Sequence, residues 1–455
     1  MSNPGNADVR PIAGIADLVA HLASGCKSVT DFTIGTEHEA FGFHKANALS
    51  LAYEGEGGIK ALLQAIEARE GLTPILDKGQ LIGLKGKAAS LSLEPGGQFE
   101  LSGAPLASLH DTKAELEAHI ARLHAVMPGL GIGMAPLGFH PTARRDDLHW
   151  MPKSRYKIMR AYMPKVGTRG LDMMLRTCTV QVNLDFASEA DMVAKMRVGS
   201  ALQPLATAVF ANSPFYEGKP NGRLSNRAWA WLDTDNARSG IPEVIFAEGF
   251  GFEAYANWLL DVPMYFVYRD GTSHDVAGAS FRDFMAGKLA SLPGEQATLG
   301  DFIDHATTAF PDVRLKTYLE TRGADSGTSA MMLAQSAFWT GLFYDGSALA
   351  AASSLIKEMS YQQVIALREA VPVSGIHTAF GTGTLRDLAK QAVAIASEGL
   401  KARARLNAAG EDERVYLAPL FEIAQGGLTQ AEQWLERYHS VWNGDVTHIF
   451  NEAEF

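Results

Sequence analysis

The stretch Ile34-Gly35-Thr36-Glu37-His38-Glu39-Ala40-Phe41-Gly42-Phe43 constrains this chain more than any other. It is short, rich in Thr, Ile and Phe and free of proline, which reads as a β-strand. Side chains alternate along a strand, so Glu37 and Glu39 share one face, about 6.5 Å apart. Two carboxylates beside Ile and Phe need water, a proton, an Arg or Lys, or a metal ion to be tolerated. The pair alone leaves two readings open: an exposed sheet face, or a built cation site.

A second run, Ser92-Leu93-Glu94-Pro95-Gly96-Gly97-Gln98-Phe99-Glu100-Leu101-Ser102, shifts the balance toward the cation site. Glu94 and Glu100 have the same parity, and the Pro-Gly-Gly break between them marks a bulge or turn that re-aims a side chain. Four carboxylates from two strands suit hard, oxygen-seeking cations, Mg²⁺ with Mn²⁺ as a substitute, and Mg²⁺ so held keeps positions open for substrate phosphates. Zinc fits less well: His38-Glu39 is followed by His44, which is not the H-E-x-x-H spacing.

Thr177-Cys178-Thr179-Val180-Gln181-Val182-Asn183-Leu184-Asp185-Phe186 alternates cleanly. Cys178, Val180, Val182, Leu184 and Phe186 form a core face, which gives Cys178 a packing role. Thr177, Thr179, Gln181, Asn183 and Asp185 form the other. A solvated strand of an acidic protein more often carries Lys and Glu, so these uncharged hydrogen-bonding groups favour the floor of a polar cleft. Upstream, Lys153, Arg155, Lys157, Arg160, Lys165 and Arg169 crowd into Met151–Gly170. Such a run is either a solvated helix face or, beside metal-binding carboxylates, a grip for phosphate or a substrate carboxylate. Arg227 and Arg238, flanking Asp233 and Asp235, are weaker candidates of the same kind.

Composition removes several classes. Lys+Arg 40 against Asp+Glu 51 gives a net charge of −11, so a nucleic-acid partner is disfavoured. No run of about 18 apolar residues is present to span a membrane. The only cysteines, Cys26 and Cys178, make neither a disulfide framework nor a C-x-x-C pair, consistent with a reducing cytosol. Walker A is missing, since no Gly-Lys-Ser or Gly-Lys-Thr occurs. With no repeat or long linker, residues 1–455 read as one catalytic domain, with 1–30 as a lead-in and about 333–455 mostly helical. There, Leu385, Leu388, Ala389, Ala392, Ile395, Ala396 and Leu400 make one apolar stripe, and Thr429 with Glu432 forms a capping box for a helix to Trp442.

Assembled, these stretches resemble the plant-type glutamate–cysteine ligases, a family also found in proteobacteria. The carrying segments are IGTEHEAFGF (34–43), SLEPGGQFELSGAP (92–105), WMPKSRYKIMRAYMPKVG (150–167), RTCTVQVNLDF (176–186), ATAVFANSPFYEGKPNG (206–222) and DVPMYFVYR (261–269). The resemblance implies an α/β (α+β), glutamine-synthetase-like fold: a curved, mainly antiparallel sheet forming a bowl, with helices outside. It also implies ATP-dependent joining of the glutamate γ-carboxylate to the amine of cysteine through a γ-glutamyl phosphate, the first step of glutathione synthesis. On this resemblance, Glu37, Glu39, Glu94 and Glu100 hold metal and Arg227 and Arg160 serve catalysis. Lys153, Arg155, Thr177, Thr179, Gln181, Asn183, Gln98 and Arg238 hold substrate or nucleotide. The partners are then glutamate, cysteine and ATP, for a monomer or homodimer. Plant members carry four cysteines in two regulatory disulfides; the matching positions here are Lys113, Val276, Ser291 and Ala334. With the plastid-targeting extension also missing, a bacterial, cytoplasmic enzyme is expected. Rival readings are a ligase of the same fold using another amine, a metal-dependent hydrolase, and a non-catalytic binding protein.

Overall fold

The computed structural model of the chain describes residues 8–269 and 271–455; of the N-terminal lead-in, residues 1–7 lie outside them. The acidic motif is a strand, β1 (Ile34–His44), at the centre of a nine-stranded sheet. The other strands are β2 (Thr73–Asp77), β3 (Gln80–Lys85), β4 (Ser90–Leu93), β5 (Phe99–Ser102), β6 (Ile132–Ala135), β7 (Thr179–Leu184), β8 (Val313–Leu315) and β9 (Leu319–Asp325). Their order is β8-β9-β7-β1-β5-β4-β3-β2, with β6 on the outer half of β1, and all these pairings are antiparallel. Register shifts between Thr321 and Ala324 in β9 and between Ile75 and Leu76 in β2 bend the sheet.

An antiparallel sheet can bury one face and leave the other to a ligand. Here the division follows the alternation in the sequence. Val182 and Leu184 of β7 pack with Leu202, Leu205, Phe338, Trp339 and Val393 from the helices Glu189–Val209, Ser329–Phe343 and Leu385–Arg403. Leu91, Leu93, Phe99 and Leu101 meet Leu62 and Ile66 of Ile59–Glu70 and Leu123 and Met127 of Leu109–Leu130. At about 1.5–3 kcal/mol for each large apolar side chain fully buried, these layers hold the sheet from behind. His38 opposes Leu101 and Val180, so it points into this core, where burial keeps its imidazole neutral with a pKa of about 4.

Cys178 packs with Phe41, Phe43, Ala135 and Phe215, and burial pushes its thiol well above the usual range. Cys26 sits beside Phe186, eight residues along the chain from Cys178, a separation of about 26 Å in extended backbone. No disulfide joins them: both are free.

The C-terminal third is helical as predicted. Leu385, Leu388, Ala389, Ala392, Ala396 and Leu400 are buried along Leu385–Arg403, and Thr429 and Glu432 form the capping box of Gln430–Ser440.

Candidate active site

The polar side of the sheet is the floor of a cleft of about 910 Å³, counted to its open mouth, lined by all four predicted glutamates. Glu39 of β1 lies directly opposite Glu100 of β5, and Ser92 of β4 continues the row. Like charges facing each other across strands are unfavourable, and the site shows it. Burial, then the charges of Glu94 and Glu100, raise the Glu39 carboxyl well above its usual range. Burial, then Glu37 and Glu94, raise Glu100 to about 7. Ser92 and Ser102 each donate a hydroxyl to Glu100, at 3.2 and 3.0 Å, and the Thr179 amide donates to Glu39 at 2.8 Å.

Glu94 is on neither strand. Pro95-Gly96-Gly97 is a tight turn that reverses the chain between β4 and β5, closed by the Gly97 amide donating to the Glu94 carbonyl at 2.9 Å. The four carboxylates therefore come from β1, β5 and a turn, which corrects the two-strand expectation. Gly97 has φ +85°, and a Cβ on Gly96 would stand 2.3 Å from the Leu175 carbonyl oxygen, so both positions require glycine. Gln98 locks this turn: its carbonyl oxygen accepts from the Gly96 amide at 2.8 Å, and its amide nitrogen donates to the Met174 and Thr177 carbonyls at 3.2 and 2.9 Å. Gln98 lines the cleft, but its polar atoms are committed to backbone.

Of the predicted polar face, Thr177, Thr179 and Gln181 line the cleft, whereas Asn183 is outside the lining and Asp185 pairs with Lys27 at 2.9 Å. Gln181 and Asn183 donate to the two oxygens of Glu37 at 3.0 and 3.1 Å. The Thr177 hydroxyl donates to the Met173 carbonyl and that of Thr179 to the Ala324 carbonyl, each at 2.7 Å, so these two shape the wall.

The basic run divides residue by residue. Arg155 lines the cleft from the helix Ser154–Tyr162. Lys153 is buried beside Glu94 at 3.8 Å and donates to Ser92 at 3.1 Å, while burial lowers its pKa to about 8. Lys157, Arg160 and Lys165 are exposed, and the Arg160 guanidinium lies 4.6 Å from the centre of the Trp150 ring. Arg160 is not among the residues that line the cleft, so the structure does not bring it to the floor as the expected catalytic role required. Arg238 is also outside the lining. It is fully buried against Asp235 at 2.6 Å and the Tyr265 ring, and it donates to the Thr308 carbonyl at 3.1 Å, bracing a segment that the cleft uses. Arg227, 3% exposed on the helix Asn226–Trp231, does line the cleft.

Sequence reading missed the cations of β8 and β9. Arg314 and Arg322 line the cleft. Behind them Glu320 accepts from Arg314 at 3.0 Å and Lys316 at 2.8 Å, and also from Arg322. Against the cost of burial, these three cations hold Glu320 well below the usual carboxylate range. The signal was present: in Arg314-Leu-Lys-Thr-Tyr-Leu-Glu-Thr-Arg322 the charges alternate with apolar residues across a short turn, as in a hairpin with one charged face.

The site thus has an acidic half and a basic half facing one space, with Tyr156, Met159, Met174, Phe266 and Phe310 as apolar lining. Among the described residues, no three His, Cys, Asp or Glu side chains are drawn together as a ready-made metal cage.

Comparison with known proteins identifies the family. Residues 33–452 match the family glutamate–cysteine ligase family 2 (GCS2). The chain is 50% identical over 436 residues to the chloroplastic glutamate–cysteine ligases of Nicotiana tabacum and Arabidopsis thaliana, covering 96% of this chain and 82% of each relative. The fold is similar to a crystallised glutamate–cysteine ligase of Francisella tularensis in complex with AMP, with a TM-score of 0.53 and 11% identity. That likeness covers 94% of this chain and 89% of the other. These names overturn one expectation. The relatives at half identity are named chloroplastic, so the expectation of a cytoplasmic enzyme does not stand. Charge and cysteine count describe the folded chain, and the same kind of chain works in a plastid.

Proposed function

The chain belongs to glutamate–cysteine ligase family 2, an ATP-dependent ligase forming γ-glutamylcysteine for glutathione synthesis, and from that premise we propose how its cleft performs the reaction. The observation that carries the proposal is one cleft in which Glu37, Glu39, Glu94 and Glu100 face Arg155, Arg227, Arg314 and Arg322. The chain works as one catalytic unit, with small molecules as its partners; among the described residues no helix is long and apolar enough to cross a membrane.

A carboxylate is a poor electrophile. In the first step an oxygen of the glutamate γ-carboxylate attacks the terminal phosphorus of ATP; the bond to the bridging oxygen breaks and ADP leaves with the electron pair. In the second, the cysteine amine attacks the acyl carbon. A C–N bond forms, the C–O bond to phosphate breaks, phosphate takes the pair, and the nitrogen sheds a proton to solvent. Both steps depend on positioning and charge neutralisation. Arg155, Arg227, Arg314 and Arg322 suit the planar, bidentate grip of phosphate or carboxylate oxygens. Gln181 and Asn183 hold Glu37 in place, and the apolar lining suits the adenine base.

The acidic half fits Mg²⁺. Burial and neighbouring carboxylates raise Glu39 and Glu100, and among the described residues Lys153 approaches Glu94 to 3.8 Å. A site of one or two carboxylates completed by substrate phosphates is the usual form for this ion. Glu37, Glu39, Glu94 and Glu100 would hold it, and when bound it supplies charge neutralisation at the phosphates.

The test is ADP release with Mg²⁺, ATP and glutamate across a panel of amines, with mass analysis of the product. Rapid γ-glutamylcysteine formation that requires all three substrates supports the reading. A faster reaction with another amine would reassign the substrate, and ATP-independent hydrolysis would replace the mechanism.

A further inference from the structure

The hairpin of β8 and β9 buries a carboxylate beneath the cleft that the reaction as described does not use. Glu320 is fully buried and is not part of the cleft's lining. It stands opposite Arg314 on β8 and opposite Asn183 on β7. Both its oxygens are taken: Arg314 Nη2 approaches them at 3.0 and 2.7 Å, Lys316 Nζ donates at 2.8 Å and Arg322 Nη1 at 2.5 Å. Desolvating so many charges offsets most of their mutual attraction, so an apolar hairpin would hold the sheet about as well. What this cluster adds is direction, because a carboxylate fixes the orientation of a guanidinium that it binds.

The two arginines differ in how far they depend on it. Arg314 Nη1 also donates to the Thr307 and Ala309 carbonyls, each at 3.0 Å, so backbone holds this arginine without Glu320. The Arg322 side chain bonds only to Glu320 and to the side-chain carbonyl oxygen of Gln181 among the described residues, and Nη1 serves both. Nε and Nη2 of Arg322, which lines the cleft, make no such bond. Gln181 in turn donates from its amide nitrogen to Glu37 at 3.0 Å. One hydrogen-bonded line, Glu320–Arg322–Gln181–Glu37, thus crosses β9, β7 and β1 from the basic half to the acidic half.

We propose that Glu320 is a positioning residue for phosphoryl transfer, acting through Arg322: it fixes the guanidinium that meets the substrate oxyanion and does not touch substrate itself. This rests on the ligase reading above. Without the Glu320 charge the cleft keeps all its cations and draws anionic substrates at least as strongly, but Arg322 is free to turn on its long stem. A displacement of about 1 Å in such a group slows chemistry on the order of 100-fold. The signature is therefore a loss of kcat with KM held.

The experiment is a double-mutant cycle in the full-length enzyme: Glu320→Gln, Arg322→Gln and the two combined. Each is followed by steady-state ADP release with Mg²⁺, ATP and cysteine saturating and glutamate varied, and near-ultraviolet circular dichroism with urea unfolding gives the folded fraction. Glu320→Gln should lose at least 30-fold in kcat per folded molecule, with KM for glutamate within threefold of the parent. The combined variant should be no more than threefold slower than Arg322→Gln alone, because the carboxylate then has nothing left to position. Losses that multiply in the combined variant, a kcat kept within threefold in folded Glu320→Gln, or a raised KM at unchanged kcat overturns the proposal. If Glu320→Gln does not fold, Glu320→Asp, which keeps the charge on a shorter arm, enters the same cycle with at least a fivefold loss of kcat expected. Absence of glutamate-dependent ADP release in the unmodified enzyme would instead remove the ligase reading on which the proposal stands.

Discussion

Replacing Glu100 by glutamine isolates the electrostatic burden of the acidic wall. Glu100 is 3% exposed and faces Glu39 across the sheet, and its carboxyl is raised from 4.5 to about 7. At about 1.4 kcal/mol for each tenfold change in protonation, holding it ionised in the folded, metal-free chain costs about 3 kcal/mol. The sign follows from proton binding: between pH 4.5 and 7 the unfolded chain has already released this proton while the folded chain keeps it. Stability from this group is therefore full below about pH 4.5, falls across that window and levels above pH 7. Glutamine has no such titration. It keeps an acceptor for Ser92 or Ser102 but gives up a charged one, a loss of about 1 kcal/mol. In chelator-treated protein at pH 8, Glu100→Gln should thus be about 2 kcal/mol more stable than the parent, with no gain at pH 4.5, while ligase activity is abolished. Urea unfolding from pH 4.5 to 8.5 reads the difference between the two proteins directly. Equal slopes through pH 5–7 would refute the charge-crowding account, and near-normal turnover would refute the metal role.

Three other substitutions probe the remaining assignments. Arg227→Lys keeps the charge but not the planar fork, so kcat/KM should fall at least 100-fold in steady-state assays; a loss of only a few-fold would make Arg227 structural. Gln98→Glu removes two donors facing the Met174 and Thr177 carbonyls. It should destabilise by about 3–5 kcal/mol in urea unfolding, and unchanged stability with a raised KM would make Gln98 a ligand contact instead. Arg160→Ala, changing an exposed residue stacked on Trp150, should leave kcat/KM within twofold; a tenfold loss would return Arg160 to the site.

Local alternation was the most legible part of the chain. The faces of β1 and β7 could be read residue by residue, because an antiparallel sheet covered on one side writes its burial directly into the sequence. Glu37, Glu39 and Glu100 were found from strand parity, and Glu94 from its place just ahead of the Pro-Gly-Gly break rather than from a strand face. Arg160 and Arg155 were not separable, because five residues turn a helix through more than one full turn and only the packing of Tyr156, Ile158 and Met159 decides which side is inward. Arg238 failed for another reason: Asp235, three residues earlier, takes its charge, and a buried pair looks in sequence like two site residues. Arg314 and Arg322 escaped because their importance is non-local; β9 joins β7 from some 140 residues away.

The Gln98 clamp bears on how such an enzyme can diverge. One side chain ties the turn carrying Glu94 to the end of the helix Gly170–Arg176 and the start of the Thr177–Asp185 segment, so these parts move as a single rigid plate. An insertion or deletion there would misalign acidic and polar walls together. The rim formed by the hairpin Phe266–Arg269/Thr272–Asp275, which brings Phe266 to the cleft, is not held by that clamp. Changes of loop length that retune which amine is admitted are therefore best tolerated on that rim, and directed evolution aimed there can explore new substrates without dismantling the phosphate chemistry.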